Sequence, residues 1–323
     1  MRFLARRRNT WIMAIVGAIA CAVAPLNPVW LDSVILTGIL ALIALSAGLS
    51  FGQAGILSMA QGAFAAIGAY ATAVCATRFG LPAWAGLALA ITLPAALAWG
   101  LARMVTRMPE LATALATLAL ATLLEIVARN WDAVTGGYVG IAGIPPVEGF
   151  GVAWRFNILV WVFVLLAVLA YENLMLSAHG RALNIVRHDR TRAMAGAGGW
   201  LYAHYITYMS PQSLDTHASI SALLMAVVGG AGYILGPVLG TFLLNLLGKL
   251  LPAQEAQGLF YGGALILILL VAPQGLLGWL SKLTERGSAR KVRATPDAPA
   301  QASAPGPTTA GPETKTRPLE AAP

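Results

Sequence analysis

Long apolar runs separated by short polar segments make up most of this chain. No charged residue occurs between Asp32 and Arg78, a stretch of 45 residues. Because an apolar helix needs about 20 residues to cross a bilayer, this stretch alone holds two spans. The pattern predicts an all-α, polytopic helical membrane protein with about eight or nine transmembrane segments.

The apolar runs also give the order of the spans and their first orientation. The predicted spans are Trp11–Leu26, Ser33–Ser50, Ile56–Thr77, Leu81–Ala102, Leu111–Asn130, Phe156–Ala170, one or two crossings in Ile220–Leu247, and Gly258–Leu280. The first run follows four arginines and resembles a signal peptide, with a cleavage site near Ala24. We interpret it as a retained helix, since further spans follow at once.

The segment ISALLMAVVGGAGYILGPVLGTFLLNLL (220–247) is unusually rich in helix-breaking residues, namely Gly229, Gly230, Gly232, Gly236, Pro237 and Gly240. The double glycine and the proline predict a broken or re-entrant helix, which is tolerated at membrane depth only inside protein or beside a cavity. Gly232, Gly236 and Gly240 are spaced by four and predict a smooth stripe that lets another helix approach closely. We expect this region to serve packing and hinge motion.

A polar island at 171–199 interrupts the apolar pattern past the middle of the chain. Arg181, Arg187, Arg190 and Arg192 lie within it, and such clusters mark the cytoplasmic side of membrane proteins. Its middle, Gly180–Met194, has the spacing of a short amphipathic helix. Such a helix on the inner face is a docking surface for a cytoplasmic partner; an ordinary basic loop that only fixes topology is the alternative.

Composition excludes most other classes of function. Hydrophobic residues make up 58% and charged residues 11%, against about 25% charged in soluble domains. The net charge of +8 is concentrated at membrane edges and in the tail, which indicates topology and not nucleic-acid binding. Cys21 and Cys75 are predicted to be packed thiols. The organisation predicted is a transmembrane domain at 1–282 that includes the polar segment 172–199, then a disordered cytoplasmic tail at 283–323.

No motif in the sequence supplies energy for transport. A G-x-x-x-x-G-K-[ST] phosphate loop and an H-E-x-x-H zinc motif are both absent from the sequence, and no cofactor is predicted. Mid-span carboxylates of the kind used in proton relays are also missing. If the protein moves a solute, the energy comes from a partner.

A few polar residues within the spans are candidates for a translocation path. Ser58 and Gln61 lie in the third span, where a buried amide is costly; hydrogen bonding between helices is the alternative. Glu125 and Arg129 are four residues apart on the fifth span, the favourable order for an ion pair on one helix face.

Five collinear segments resemble the permease subunits of branched-chain amino acid ABC transporters, closest to the LivM type. They are FGQAGILSMAQGAFAAIGAYATA (51–73), WDAVTGGYVGIAGIP (131–145), GRALNIVRHDRTRAMAGAG (180–198), AHYITYMSP (203–211) and SISALLMAVVGGAGYILGPVLGTFLL (219–244). The resemblance implies a multi-pass protein of the bacterial inner membrane with cytoplasmic termini. It also implies a second permease subunit, two cytoplasmic ATPases and a periplasmic binding protein.

The same resemblance implies roles for individual residues. In that family the ATPases grip a cytoplasmic coupling helix, which corresponds here to Gly180, Arg181, Ala182, Val186, Arg187, Asp189 and Ala193. The transported solute is a branched-chain or related small amino acid; urea, short amides and aromatic acids are alternatives, because related systems carry them.

One departure from the family pattern stands out. Family members have a further apolar span after the coupling segment, whereas here Gly199 runs straight into Trp200. The chain therefore lacks some 20–25 residues, about one helix. A lost span reverses the sidedness of everything after it unless Ile220–Leu247 makes a single crossing. A transport-incompetent copy is thus a further alternative.

Overall fold

The computed structural model describes residues 8–24, 27–53, 55–105, 108–176, 187–213, 215–250, 263 and 275–278. All of them belong to one compact unit, Met1–Lys282. The predicted tail at 283–323 and most of the last predicted span lie outside the described residues. The division at 282/283 therefore stays a prediction.

Helices dominate the described chain, as expected. They are α1 Arg8–Val23, α2 Pro28–Gly48, α3 Gln61–Arg78, α4 Ala83–Val105, α5 Glu110–Asn130, the short α6 Asp132–Thr135, α7 Ala153–Leu176, α8 Arg187–Ile206, α9 Thr216–Gly229 and α10 Gly236–Leu250. A π-helical turn, Leu49–Gln53, follows α2. Two short strands, β1 Ile141–Ala142 and β2 Tyr208–Met209, pair antiparallel; the end of the bundle where they lie is called the strand end below.

Four helices in the described ranges are long and apolar enough to cross a membrane, namely Trp30–Gln53, Ala83–Leu101, Leu111–Asn130 and Ala153–Met175. This confirms the all-α, polytopic class, while the number of eight or nine spans stays a prediction. The α2 span is 72% buried within the bundle, whereas the α4 and α5 spans are only 22% and 28% buried. The α2 span is therefore interior, and α4 and α5 are peripheral.

Helix α8, whose described side chains are mostly buried, is too polar to be recognised as a span. It packs against α2, α3 and α4, and Trp200 and Leu201 on it are fully buried. The indole Nε1 of Trp200 donates to the Ala83 carbonyl at 2.9 Å. Its small residues allow this packing: a Cβ at Gly199 would overlap the Ala65 carbonyl oxygen on α3. Since α8 is surrounded by protein and not by lipid, it does not need high hydropathy.

The course of α8 corrects the prediction of a short helix ending at Met194 and a separate segment from Trp200. The helix runs without interruption to Ile206 and is 20 residues long, or about 30 Å. It lies antiparallel to α2, because Gly198 is beside Ile39 and Ile43 while the Tyr205 hydroxyl reaches Asp32 at 2.6 Å. The bundle therefore has a span-length helix where the sequence predicted a missing one.

The helices are broken at two places, before α3 and within the glycine-rich region. The third span was expected from Ile56, but residues 55–60 are non-helical and α3 begins at Gln61. The glycine-rich region divides into α9 and α10, which pack side by side as a hairpin: Gly229 lies against Gly236, and Gly240 lies against Met225. The broken helix is thus confirmed, while the number of membrane crossings in Ile220–Leu247 stays a prediction.

Candidate functional site

The two broken segments, 49–60 and 230–235, contact each other at a partly exposed place on the bundle. The Gln53 side-chain amide donates to the Gly232 carbonyl at 3.0 Å. Gly52 lies so close to Ala231 that a Cβ would overlap the Ala231 carbonyl. The sequence predicted the break in the glycine-rich segment, and the structure joins it with the break at 49–60. Non-helical backbone from two parts of a chain, meeting beside helix ends, is the arrangement that transporters use for substrate paths and hinges.

Gln61, the first residue of α3, is tied into this site by its side chain. Its Oε1 accepts a hydrogen bond from the Ser46 hydroxyl at 2.9 Å, and its Nε2 donates to Ser50 Oγ at 3.2 Å. The residue is fully buried. Both ends of the amide are used within the protein, so the geometry favours the helix-packing alternative for Gln61.

Ser58 differs from Gln61, because its hydroxyl is buried without a hydrogen-bond partner among the described residues. The backbone around it is held by side chains of other helices: Met59 N donates to Thr117 Oγ1 at 3.0 Å, and Gly62 N donates to Ser219 Oγ at 2.9 Å. These bonds satisfy backbone groups that the break leaves without helical partners. Ser58 therefore remains the better candidate for contact with a solute.

The predicted glycine stripe holds only in part. Gly236 and Gly240 lie in α10 and face α9 through Gly229, as expected of a close helix contact. Gly232 is not on the stripe: it precedes the helix, and a Cβ there would meet nothing within 4 Å. Gly230 has a φ of 108°, which an L side chain rarely adopts. Pro237, in the first turn of α10, packs against Gly48 on α2.

Replacing Gly236 by leucine is expected to disrupt the α9–α10 hairpin. A Cβ at Gly236 would overlap the Gly230 carbonyl oxygen, so the backbone must move, at a cost of about 3 kcal/mol. On a native gel or by size exclusion in mild detergent, the variant should lose its assembled species. The matched control, Gly232→Leu, should assemble normally. Equal behaviour of the two variants would remove the close-packing role of Gly236.

Replacing Gln61 by leucine should lower stability without changing solute affinity. The variant loses two hydrogen bonds between side chains, worth about 1 kcal/mol in a membrane protein, so the unfolding midpoint should fall slightly. Thr122→Val, which removes a hydroxyl bonded to its own helix, is the control. A large rise in the KM for uptake at unchanged stability would instead place Gln61 on the path.

The predicted coupling residues divide into two groups. Gly180, Arg181, Ala182 and Val186 lie outside the described residues. Arg187 and Asp189 belong to the first turn of α8, and Ala193, one turn further on, is partly buried. The coupling helix that the resemblance implied is thus not separate from the bundle at these positions, because its last residues are the start of α8.

Arg192 was grouped with the loop arginines by the sequence, but it lies in the core. It is 4% exposed; its Nη1 donates to the Ala98 carbonyl at 3.5 Å, and its guanidinium lies 4.9 Å from the centre of the Phe64 ring. The run of small residues directly after it, AMAGAGG, is a signal that could have indicated a closely packed helix. This contact fixes the start of α8 against α3 and α4.

Two charged contacts complete the description. The predicted ion pair on α5 is confirmed, with Arg129 Nη2 at 2.5 Å from Glu125 Oε1. Sequence reasoning missed Glu172, which is buried on α7 and accepts hydrogen bonds from the Asn9 backbone N–H and the Thr10 hydroxyl at the start of α1. A carboxylate at a helix N-terminus is stabilised by the helix dipole. Glu172 is an acidic residue at the polar end of an apolar run. That position was the signal in the sequence that could have indicated its role.

Comparison with known proteins now identifies the family. The model of a family described as the permease component of branched-chain amino acid transport systems matches residues 29–195 and 191–272. Together these pieces cover well over half of the chain. The chain belongs to this permease family. The fold agrees with it, since the segments that carry the resemblance contain the two breaks and α8.

Two relatives show the same similarity. The high-affinity branched-chain amino acid transport system permease protein LivM of Escherichia coli K12 is 28% identical over 294 aligned positions, with 76% of this chain and 69% of the relative covered. LivM of Salmonella typhimurium LT2 gives the same values. No solved structure matches this chain.

The comparisons bear on the predicted shortening of this permease. Since 76% of 323 residues is about 245, some 49 of the 294 aligned positions have no residue in this chain. The two family matches overlap at residues 191–195, in the second and third turns of α8. The place of the shortening between Gly199 and Trp200 stays a prediction, and α8 runs without interruption through that point.

Proposed function

We propose that this permease is the membrane-spanning subunit of an ABC importer for branched-chain amino acids in the bacterial inner membrane. A second, related permease would pair with it, two cytoplasmic ATPases would drive it, and a periplasmic binding protein would deliver the solute. The observation that carries the proposal is the continuity of α8: the coupling residues Arg187 and Asp189 lie on the helix that packs at the centre of the bundle.

Because α8 is one continuous helix, a movement of the ATPases can be transmitted through it to the solute path. A force applied to the first turn of α8 would move the whole helix as a rigid body. Arg192 and the close contact at Gly199 pack α8 tightly against its neighbours. The joined breaks at 49–60 and 230–235 are the part of the bundle with irregular backbone. Packed helices move as rigid bodies and irregular segments absorb the change. Motion of α8 would thus be taken up at the breaks.

The termini of this permease would lie in the cytoplasm. The N-terminal arginines, the arginines of 180–192 and the basic residues after 282 then share one side, as the distribution of positive charge requires. With α8 crossing once and α9–α10 forming a hairpin, this arrangement needs no reversal after residue 206.

Uptake in a strain that lacks its own branched-chain permease tests the proposal. The chain is expressed with the ATPases, binding protein and second permease of a branched-chain amino acid importer, and ATP-dependent accumulation of radiolabelled leucine is measured. Accumulation that requires both this chain and ATP is expected. Uptake of urea, amides or aromatic acids in place of leucine would contradict the assignment of branched-chain amino acids as the substrate.

The 49 absent positions favour one second candidate, an assembled subunit that transports nothing. The same strain separates the two functions, provided that co-purification shows the complete assembly. An assembled complex without uptake, rescued by inserting the residues that the aligned relative has and this chain lacks, would establish the inactive alternative.

A further inference from the structure

A cavity of about 330 Å³ lies between α3, α4 and α5 and is not part of the joined breaks. Its floor is formed by small residues of α3, such as Ala66 and Ala71, and its walls by leucines of α4 and α5. Residues after α5, including Trp131 and Pro211, line it at the strand end. The volume is near the lower end, about 300 Å³, of the range for small-molecule sites.

Besides Thr135, whose hydroxyl is bonded to the Ala128 and Trp131 carbonyls, two polar side chains line this largely apolar cavity. Tyr70 is 8% exposed, and its hydroxyl has no hydrogen-bond partner among the described residues. The Glu125 carboxylate also lines the cavity; it is held by Arg129 at 2.5 Å and by the Thr216 hydroxyl at 3.3 Å. The Tyr70 hydroxyl can donate a hydrogen bond to a carboxylate, and the Glu125 carboxylate can accept one from an ammonium.

From this arrangement we infer that the cavity binds a branched aliphatic amino acid as its zwitterion. The ammonium of the ligand lies on Glu125, its carboxylate accepts from the Tyr70 hydroxyl, and its side chain lies among the alanines and leucines. The inference rests on the proposed function for the choice of amino acid. It deepens that function by adding a solute site at the strand end, where the proposed topology places the delivering protein.

The polar groups distinguish this cavity from a crevice filled by lipid. An acyl chain offers no hydrogen-bond partner to the Tyr70 hydroxyl, and burying such a group against hydrocarbon without a partner is costly. The carboxylate of an amino acid satisfies that hydroxyl, and its ammonium adds a further partner to the Glu125 carboxylate, which Arg129 and Thr216 already contact. The methyl-bearing side chain then fills the space that the small residues of α3 leave.

Direct binding tests the site without the partner subunits. The full chain is purified into phospholipid nanodiscs, and saturable binding of radiolabelled L-leucine is measured by scintillation proximity. The competitor is 4-methylpentanoate, which has the leucine side chain and carboxylate but no ammonium. Glu125→Gln should weaken leucine binding by about 10-fold, the effect of losing one charged hydrogen bond, and leave 4-methylpentanoate unaffected. Tyr70→Phe should weaken both compounds, by about 3-fold.

Further variants locate the site and test its specificity. Ala71→Phe, which fills the cavity, should abolish binding. Glu148→Gln, an exposed acid outside the cavity, is the matched control and should bind normally; size exclusion of every variant checks folding. Absence of saturable binding, or binding that Glu125→Gln and Ala71→Phe leave unchanged, would overturn the site. Leucine binding without uptake would contradict the proposed function while leaving the site standing.

Discussion

Gly199→Leu is expected to remove nearly all folded protein from the membrane. The Cβ alone would overlap the Ala65 carbonyl oxygen, and the atoms next nearest to it are also backbone of α3. Two central helices must therefore separate, at a cost of about 3 kcal/mol or more, which is a large part of a typical domain stability. The yield of monodisperse protein in fluorescence-detected size exclusion measures the effect.

Gly100→Leu is the matched control for this experiment. Gly100 lies on an exposed face of α4, and a Cβ there meets nothing within 4 Å. Both variants add the same side chain to a helical glycine, so a difference between them reports packing and not helix propensity. Normal yield for Gly199→Leu would mean that α8 does not pack at the centre of the bundle.

Arg187→Glu is expected to abolish leucine uptake while the permease still inserts and pairs with its partner. Arg187 lies in the first turn of α8, where we propose that the ATPase docks. Reversing a charge in a complementary interface costs several kcal/mol, enough to reduce coupled transport by more than about 10-fold. Radiolabelled leucine uptake and the ATPase activity of the purified complex are measured together.

Arg155→Glu serves as the control for the charge reversal. Arg155 is exposed at the start of α7, and its guanidinium lies over the Trp154 ring, far along the chain from the docking segment. Uptake by this variant should be normal. If Arg187→Glu transports as well as the unchanged chain, the first turn of α8 does not receive the ATPase.

The peripheral spans were predicted well because lipid imposes a simple rule on them. Helices α4 and α5 must be apolar along their whole exposed length, so their apolar runs predicted their bounds to within a few residues. The Glu125–Arg129 pair followed from helical spacing alone. Chemistry that depends on one helix needs no knowledge of its neighbours.

The central helix could not be predicted by the same rule. Residues of α8 face protein, so that helix carries Arg192, His204 and three glycines in place of an apolar run. From the sequence alone, a helix with such a composition is predicted to be a polar loop. Its burial depends on partners far away in the chain, such as Ala98 and Pro145, which no local pattern specifies. The same limit applies to Gly232, whose spacing suggested a helix face that α10 does not include.

The central claim is that α8 crosses the whole membrane and is continuous with the coupling segment. The most direct test is to measure on which side of the membrane two single cysteines lie. Asp189→Cys and Ser213→Cys are made in a chain whose native Cys21 and Cys75 are alanine. A membrane-impermeant maleimide is applied to spheroplasts and to inside-out vesicles. The account predicts that position 213 reacts only in spheroplasts and position 189 only in inverted vesicles. Labelling of both positions from the same side would contradict it.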